Sequence, residues 1–395
     1  MKKILLDKII NDITEVTRII SKKKKNIYLH QPLFYNNEYK FLKKCISTTH
    51  VSSGGNYIGL FENQIKKFTK STDVIAVLNG TIGLQICLEV LGVQRDDEIL
   101  VPAMTFVGTV NAIKHANANP VFLDSDLNNL GINFDKLQLF LKTQCVKKNG
   151  YTYNRKTKKR VFGIMPVHVF GNIGDIEKIV KIAKKYKLKV IEDAAEALGS
   201  YYNDKHAGNF GDLGLISFNA NKTITTGGGG VILSNNKYIS KKIRHLISTA
   251  KIKHAWKFLH DQVGWNYKMT NLNAAVGYAQ ALNLDKTLIF KKKLGRKYLN
   301  LFKENKIINI VKPPINNSAN NWLNVIKIKG ITEKNRNYII SILNEKKIEC
   351  RPVWRLMSKL PMYKKYQKIN LDIAQRLEKE LICLPSSPIY GKNIK

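Results

Sequence analysis

The sequence predicts an α/β fold: a mostly parallel seven-stranded sheet flanked by helices, followed by a smaller C-terminal α+β domain. Three observations predict it. Between about Asp73 and Ser234, short apolar runs alternate with helix-period segments, the pattern of strands joined through crossover helices. The chain has 395 residues, 44% of them hydrophobic, enough to bury a large core. After about Leu284 the alternation gives way to long basic helices around an isolated strand.

Met1 to Leu6 put two lysines ahead of a short apolar run, as a signal peptide would. Asp7, Lys8, Asn11, Asp12 and Glu15 interrupt that run, so an amphipathic helix within residues 1–28 reads better, with Lys22–Lys25 as its solvated end. A large domain follows over 29–284. Its expected strands are Val74–Leu78, Glu98–Val101, Pro120–Leu123, Phe162–Val167, Lys189–Ile191, Leu215–Phe218 and Val231–Leu233. Between them, Leu84, Cys87, Leu88 and Leu91 mark one face of a helix over Thr81–Leu91. Ile179, Val180 and Ala183 do the same for Ile176–Tyr186. The lysine- and arginine-rich stretch Gln144–Arg160, centred on Asn149-Gly150, reads as an exposed hairpin or excursion loop. Residues 285–395 form the small domain, with a Pro313-Pro314 break, a strand at Val325–Ile328 and an isolated Arg351-Pro352-Val353-Trp354.

Composition narrows the function. Lys+Arg 66 against Asp+Glu 29 gives a net charge of +37. The basic residues are scattered and no recognition module accompanies them, so nucleic acid is not an expected partner; the charge sits on solvated helix faces and helps attract small anionic substrates. Five widely spaced cysteines without a CxxC pair fit free thiols in a reducing compartment, with no disulfide framework and no metal site. No apolar run is long enough to span a membrane, and a cytoplasmic location is expected.

Three constellations can carry chemistry. Asn79-Gly80-Thr81 stands where a strand ends and a helix begins, a ready anion site, although an ordinary helix cap uses the same residues. Val190-Ile191-Glu192-Asp193-Ala194-Ala195-Glu196 runs a buried strand into acid at its carboxyl end, where open α/β sheets bind ligands. A carboxylate there holds a cationic ring nitrogen or caps a helix. In Ser217-Phe218-Asn219-Ala220-Asn221-Lys222 a strand ends and a single lysine follows in a polar turn, and Gly227-Gly228-Gly229-Gly230 precedes the next strand; no Gly-Lys-Ser/Thr makes this a Walker motif. An amine at a sheet edge among small residues is positioned for imine formation. One ligand, pyridoxal 5'-phosphate, answers to all three: an amine for its aldehyde (Lys222), an acid for its ring nitrogen (Asp193), donors for its phosphate (Thr81, Ser217) and a face to stack on (Phe106, equally a core aromatic).

Further phrases are Val51-Ser52-Ser53-Gly54-Gly55, Thr249-Ala250-Lys251, His260-Asp261, Asn266-Tyr267-Lys268-Met269-Thr270-Asn271 and Arg351–Trp354. In order and wording the set resembles the DegT/DnrJ/EryC1/StrS sugar aminotransferases from about Leu29 to Pro388. The resemblance is closest to the branch that aminates C4 of UDP-linked 4-keto-6-deoxy-N-acetylglucosamine toward N-acetylbacillosamine or legionaminic acid. It implies a fold-type I pyridoxal phosphate enzyme, L-glutamate and a UDP-keto-sugar as substrates, and a homodimer with composite active sites. It makes Lys222 the lysine bonded to the cofactor aldehyde, Asp193 the ring-nitrogen partner, and Glu196 the neighbour of the ring hydroxyl. Phe106 becomes the stacking aromatic, Gly80, Thr81 and Ser217 phosphate contacts, and Asn266 the asparagine that reaches the neighbouring subunit's phosphate. Ser53, Tyr57, His168, Lys251, His260, Arg351 and Trp354 are the sugar-contact candidates; a buried aromatic, a satisfied histidine or a solvated lysine accounts for such residues equally well. Lys268 stands where relatives usually carry Arg, and cannot reproduce a planar bidentate pairing. Ala220 stands where this branch often has Gly. Related 3-deoxygenases carry His at the position of Lys222, which argues against that activity. Amination at C3, or on a GDP- or dTDP-sugar, is the alternative.

Overall fold

The computed structural model describes residues 3–313 and 317–394; Pro314 of the expected break lies outside them. The main sheet is built from β1 (Asp73–Val77), β2 (Glu98–Pro102), β3 (Asn119–Leu123), β4 (Arg160–Ile164), β5 (Lys189–Asp193), β6 (Leu213–Ser217) and β7 (Gly230–Ser234). They lie in the order β1-β7-β6-β5-β4-β2-β3. Neighbours from β6 to β3 run parallel, while β7 runs antiparallel to both β6 and β1. All seven expected strands are present. The fourth ends earlier than its apolar run because Pro166 offers no N–H to continue the ladder.

The basic excursion adds two strands and makes the sheet nine-stranded. Cys145–Lys148 and Tyr151–Asn154 form a hairpin through Asn149 and Gly150, both at positive φ, and Thr152 and Tyr153 pair antiparallel with the start of β4. Its lysines face solvent while Thr152 and Asn154 are buried.

The α-helices among the described residues are α1 (Lys3–Ile20), α2 (Asn37–Ser47), α3 (Asn56–Thr69), α4 (Gly80–Val90), α5 (Val107–His115), α6 (Phe134–Gln144), α7 (Ile176–Lys185), α8 (Lys237–Leu246), α9 (Asn271–Ala281), α10 (Leu284–Leu301), α11 (Glu333–Glu345), α12 (Asp372–Glu380) and a short α13 (Pro388–Lys392). Strand side chains alternate between faces, so each strand feeds two layers. Ile75, Val77, Val101 and Leu215 pack under α4, α5 and α8. Val74, Ala76, Ile216 and Val231 meet α3 and α9 on the other face, and Leu100, Ile164 and Val190 meet α6 and α7 there.

A second, antiparallel sheet takes Ile308–Ile310, Asn324–Ile328, Leu381–Leu384 and Arg351–Pro352 in that order. The N-terminal helix packs on this part of the chain: Ile9, Ile10 and Ile13 share a core with Tyr298, Ile339 and Leu343. Trp322, Val325, Val353 and Leu377 in turn belong to the same core as Val101, Met104 and Leu215 of the main sheet. Asp124, just past β3, accepts from the Ala374 N–H (2.7 Å) and Lys136 Nζ (2.5 Å), and so ties the first turn of α12 to the large sheet. Among the described residues no helix is long and apolar enough to cross a membrane.

Candidate active site

The carboxyl ends of β5 and β6 bring the predicted residues together. Glu192 and Asp193 end β5 on opposite faces. Asp193 is buried; its Oδ2 accepts from Thr109 Oγ1 (2.7 Å) and its Oδ1 from the Ala195 N–H (3.1 Å). Burial pushes its carboxyl up, against the pull of these bonds and of Lys222. β6 ends at Ser217, and a turn closed by the Lys222 N–H to Asn219 O (3.0 Å) carries Lys222 back over the sheet edge. Lys222 Nζ lies 3.2 Å from Glu196 Oε1, and the other Glu196 oxygen accepts from the Phe170 N–H (2.8 Å). Burial raises the Glu196 carboxyl too, and Lys222 opposes it.

Asn79 caps α4, its Oδ1 accepting from the Ile82 N–H (2.9 Å), so Gly80 and Thr81 form the first turn, where backbone donors lack helical partners. Glycines make this corner tight. A Cβ on Gly80 would come 3.3 Å from that of Ser217, and one on Gly230 3.2 Å from the Gly80 nitrogen. A Cβ on Gly108 would meet Thr81 Oγ1 at 2.7 Å and the Phe106 ring at 3.1 Å. Thr81 and Phe106 therefore lie side by side, and the Phe106 ring is 53% exposed at the start of α5. An exposed flat ring, a helix start bearing Thr81 beside Ser217, a buried acid whose described contacts are neutral donors, and an amine at one edge fit pyridoxal phosphate group for group.

The expected sugar contacts are more dispersed. Trp354 joins the site through stacked rings: it lies 5.0 Å from Phe170, which lies 6.2 Å from Trp322, and Lys222 Nζ sits 4.1 Å from the Trp322 ring centre. Phe170 holds φ +56°, backbone strain a bulky residue keeps only when its surroundings impose it. His168 is buried with its Nε2 2.9 Å from Glu192 Oε2. Tyr57 is buried against Phe41 and Tyr278, its N–H donating to Asn271 Oδ1. Ser53 is half-buried in the loop ahead of α3. Lys251 and His260 face each other across an exposed two-stranded hairpin, with the His260 Nδ1 2.8 Å from Thr249 O. Arg351 is exposed and pairs with Glu349 (3.0 Å). Asn266 is exposed on the segment that bridges to Ser248.

Thr109, Asn320, Trp322 and His30 escaped the sequence reading. Thr109 follows Phe106 by one helical turn, a spacing that could have flagged it. The His30 ring lies 6.4 Å from Trp322; burial, then Lys291 and Lys222, hold it well below the ordinary histidine range.

Residues 34–393 match the model of the DegT/DnrJ/EryC1/StrS aminotransferase family. The chain belongs to that family. It is 35% identical to the GDP-perosamine synthase of Escherichia coli O157:H7 over 367 residues, covering 92% of this chain and 94% of the relative. Against the GDP-perosamine synthase of Vibrio cholerae the figure is 32%, with 92% and 94% covered. Helicobacter pylori PseC, an aminotransferase of pseudaminic acid biosynthesis, superposes with a TM-score of 0.84 at 21% identity over 93% of this chain and 97% of that one. As a member of the DegT/DnrJ/EryC1/StrS family, with the fold-type I architecture, the protein is a pyridoxal 5'-phosphate-dependent nucleotide-sugar aminotransferase.

Proposed function

We propose that the protein transfers the amino group of L-glutamate to C4 of a UDP-linked 4-keto-6-deoxy-N-acetylhexosamine, giving the UDP-4-amino-4,6-dideoxy sugar and 2-oxoglutarate. The observation that carries the reading is Lys222: an amine with a 13% exposed side chain, at the edge where buried Asp193 also ends its strand. Pyridoxal phosphate, when bound, supplies an aldehyde that bonds an amine and a cationic ring that draws electrons from the adjoining carbon. Lys222 would hold the aldehyde, Asp193 the proton on the ring nitrogen, Glu196 the ring hydroxyl and Phe106 the ring face. Gly80, Thr81 and Ser217 would hold the phosphate. Freed by the incoming donor, Lys222 Nζ takes the proton from the glutamate Cα and later delivers one to the sugar C4, base and acid in turn. Asp193 stays oriented by Thr109 and Ala195, so its charge needs no rearrangement as the reaction proceeds.

The UDP-sugar is supported by the wording of Thr249-Ala250-Lys251 and Arg351–Trp354, two of the phrases that resemble that branch. The same transfer to a GDP-linked 4-keto sugar is the second reading, favoured by two relatives named GDP-perosamine synthase. The homodimer is part of the proposal: Trp256 (77% exposed), Phe258 (83%) and Val263 (91%) leave apolar surface on the segment leading to Asn266, which in the dimer reaches the neighbouring phosphate. Spectroscopy and a substrate panel test the reading. The purified protein carries an absorbance band from the Lys222-bound cofactor, glutamate removes it, and a UDP-4-keto-6-deoxy-N-acetylhexosamine restores it faster than GDP- or dTDP-keto-sugars. A band indifferent to glutamate overturns the donor, and faster restoration by the GDP-sugar decides for the second reading.

A further inference from the structure

We propose that Trp322 is the positioning residue of Lys222: its indole is the seat on which the lysine rests whenever its amine is not bonded, and it fixes the turn from which the lysine projects. The proposal takes from the aminotransferase reading only that Lys222 is the working amine.

Trp322 is 4% exposed and lies between Asn317–Ser318 and the strand Asn324–Ile328, far along the chain from the turn it touches. Its Nε1–H donates to Asn221 O (2.7 Å), the carbonyl immediately before Lys222. Its ring centre lies 4.1 Å from Lys222 Nζ, while Glu196 Oε1 stands 3.2 Å from the same nitrogen. An ammonium between an indole face and a carboxylate is held by both. The ring itself has little freedom. The Trp322 N–H donates to Asn320 Oδ1 (2.8 Å), its carbonyl accepts from the buried Lys291 Nζ (2.7 Å), and Phe170 stacks on the ring at 28°. Asn320 ties the arrangement together: its Nδ2 donates to Glu196 O (2.8 Å) and Leu198 O (2.9 Å), with Thr223 Oγ1 3.2 Å away. Residues 320–322 therefore set where both the lysine and its carboxylate stand. A core residue that only filled volume would need neither the bond to Asn221 nor a cation over its face. Lysine is a point charge on a flexible four-carbon stem, so an amine that leaves and returns each half-cycle needs a defined place to return to.

Lysine footprinting of the cofactor-free protein tests this without turnover. The protein is treated with limiting acetic anhydride, and acetylation of Lys222 is read by peptide mass spectrometry against exposed Lys303 and buried Lys291. Trp322→Leu raises Lys222 labelling by roughly three- to thirtyfold, the range spanned by a cation–π contact, Trp322→Phe raises it less, and Lys291 stays silent. In single turnovers with Cα-deuterated glutamate, the isotope effect grows in Trp322→Leu and falls back toward wild type in Trp322→Phe, with the KM for glutamate within about threefold. Lys222 labelling within twofold of wild type in both variants overturns the proposal. So does a parallel rise at Lys291, which marks a loosened core. If Trp322→Leu does not fold, Trp322→Phe decides by the same criteria. Failure of the aminotransferase reading shows separately, as a wild-type protein that captures no pyridoxal phosphate.

Discussion

Glu192 and Asp193 are neighbours in the chain with opposite electrostatic fates. Burial alone would raise the Glu192 carboxyl, but His168 and the N–H groups of Gly208 and Gly211 bring it below its ordinary value. Phe210 N–H is a further donor, so this carboxylate clamps the 208–211 loop. Its folded value is depressed, so its stabilisation is complete above the ordinary glutamate range and is lost as pH falls through the folded value. Glu192→Gln leaves N–H groups unmatched and lowers stability by roughly 1–3 kcal/mol at neutral pH, measured by urea unfolding. Asp193 is raised by burial, the reverse case: in the cofactor-free protein its contribution is greatest below the ordinary aspartate range and is lost as pH rises through the folded value. Asp193→Asn therefore leaves the cofactor-free protein at least as stable as wild type at pH 8, with the advantage gone at pH 4. If Asp193 holds the ring nitrogen as proposed, turnover nevertheless falls about 10²–10³-fold, because that charge is gone. Urea unfolding at the two pH values and a glutamate single turnover check both halves.

At the scale of elements, α4 owes its start to one side chain. Asn79→Ala removes the cap on Ile82 N–H and costs about 1 kcal/mol. It also slackens the turn carrying Gly80 and Thr81, so that, if this turn holds the phosphate as proposed, pyridoxal phosphate dissociates faster; thermal unfolding and cofactor release by dialysis read the two effects. The main strands were legible because each is an apolar run buried on both faces, and the Asp193 and Lys222 positions because one ends such a run and the other stands in the polar turn just after one. The hairpin over Cys145–Asn154 was half-legible: Asn149-Gly150 marked the turn, but its lysines hid Thr152 and Tyr153, which join the sheet. Trp322 and Asn320 left no trace, since their meaning lies in contacts with Asn221 and Glu196 that no local spacing encodes. His168 and Tyr57 looked like pocket residues because polar and aromatic groups at strand and helix ends do; only their partners, Glu192 and the Phe41–Tyr278 cluster, reveal their packing.

At the scale of the molecule, the proposed composite site makes a quantitative demand. If Lys222 of one subunit works with Asn266 of its neighbour, Lys222→Ala and Asn266→Ala proteins, each inactive alone, regain about a quarter of wild-type activity when unfolded and refolded together, because half the dimers then hold one intact site. No recovery, with mixed dimers confirmed by mass spectrometry, excludes sharing through Asn266. The two sheets raise a different matter. Trp322, Val353 and Leu377 are inseparable from Val101 and Leu215, and Asp124 staples α12 to the end of β3. A jaw that swings would have to tear that apolar seam. If the proposed site is right, choice among acceptors has to be tuned by side chains outside that seam, where replacement leaves the joint between the two sheets intact.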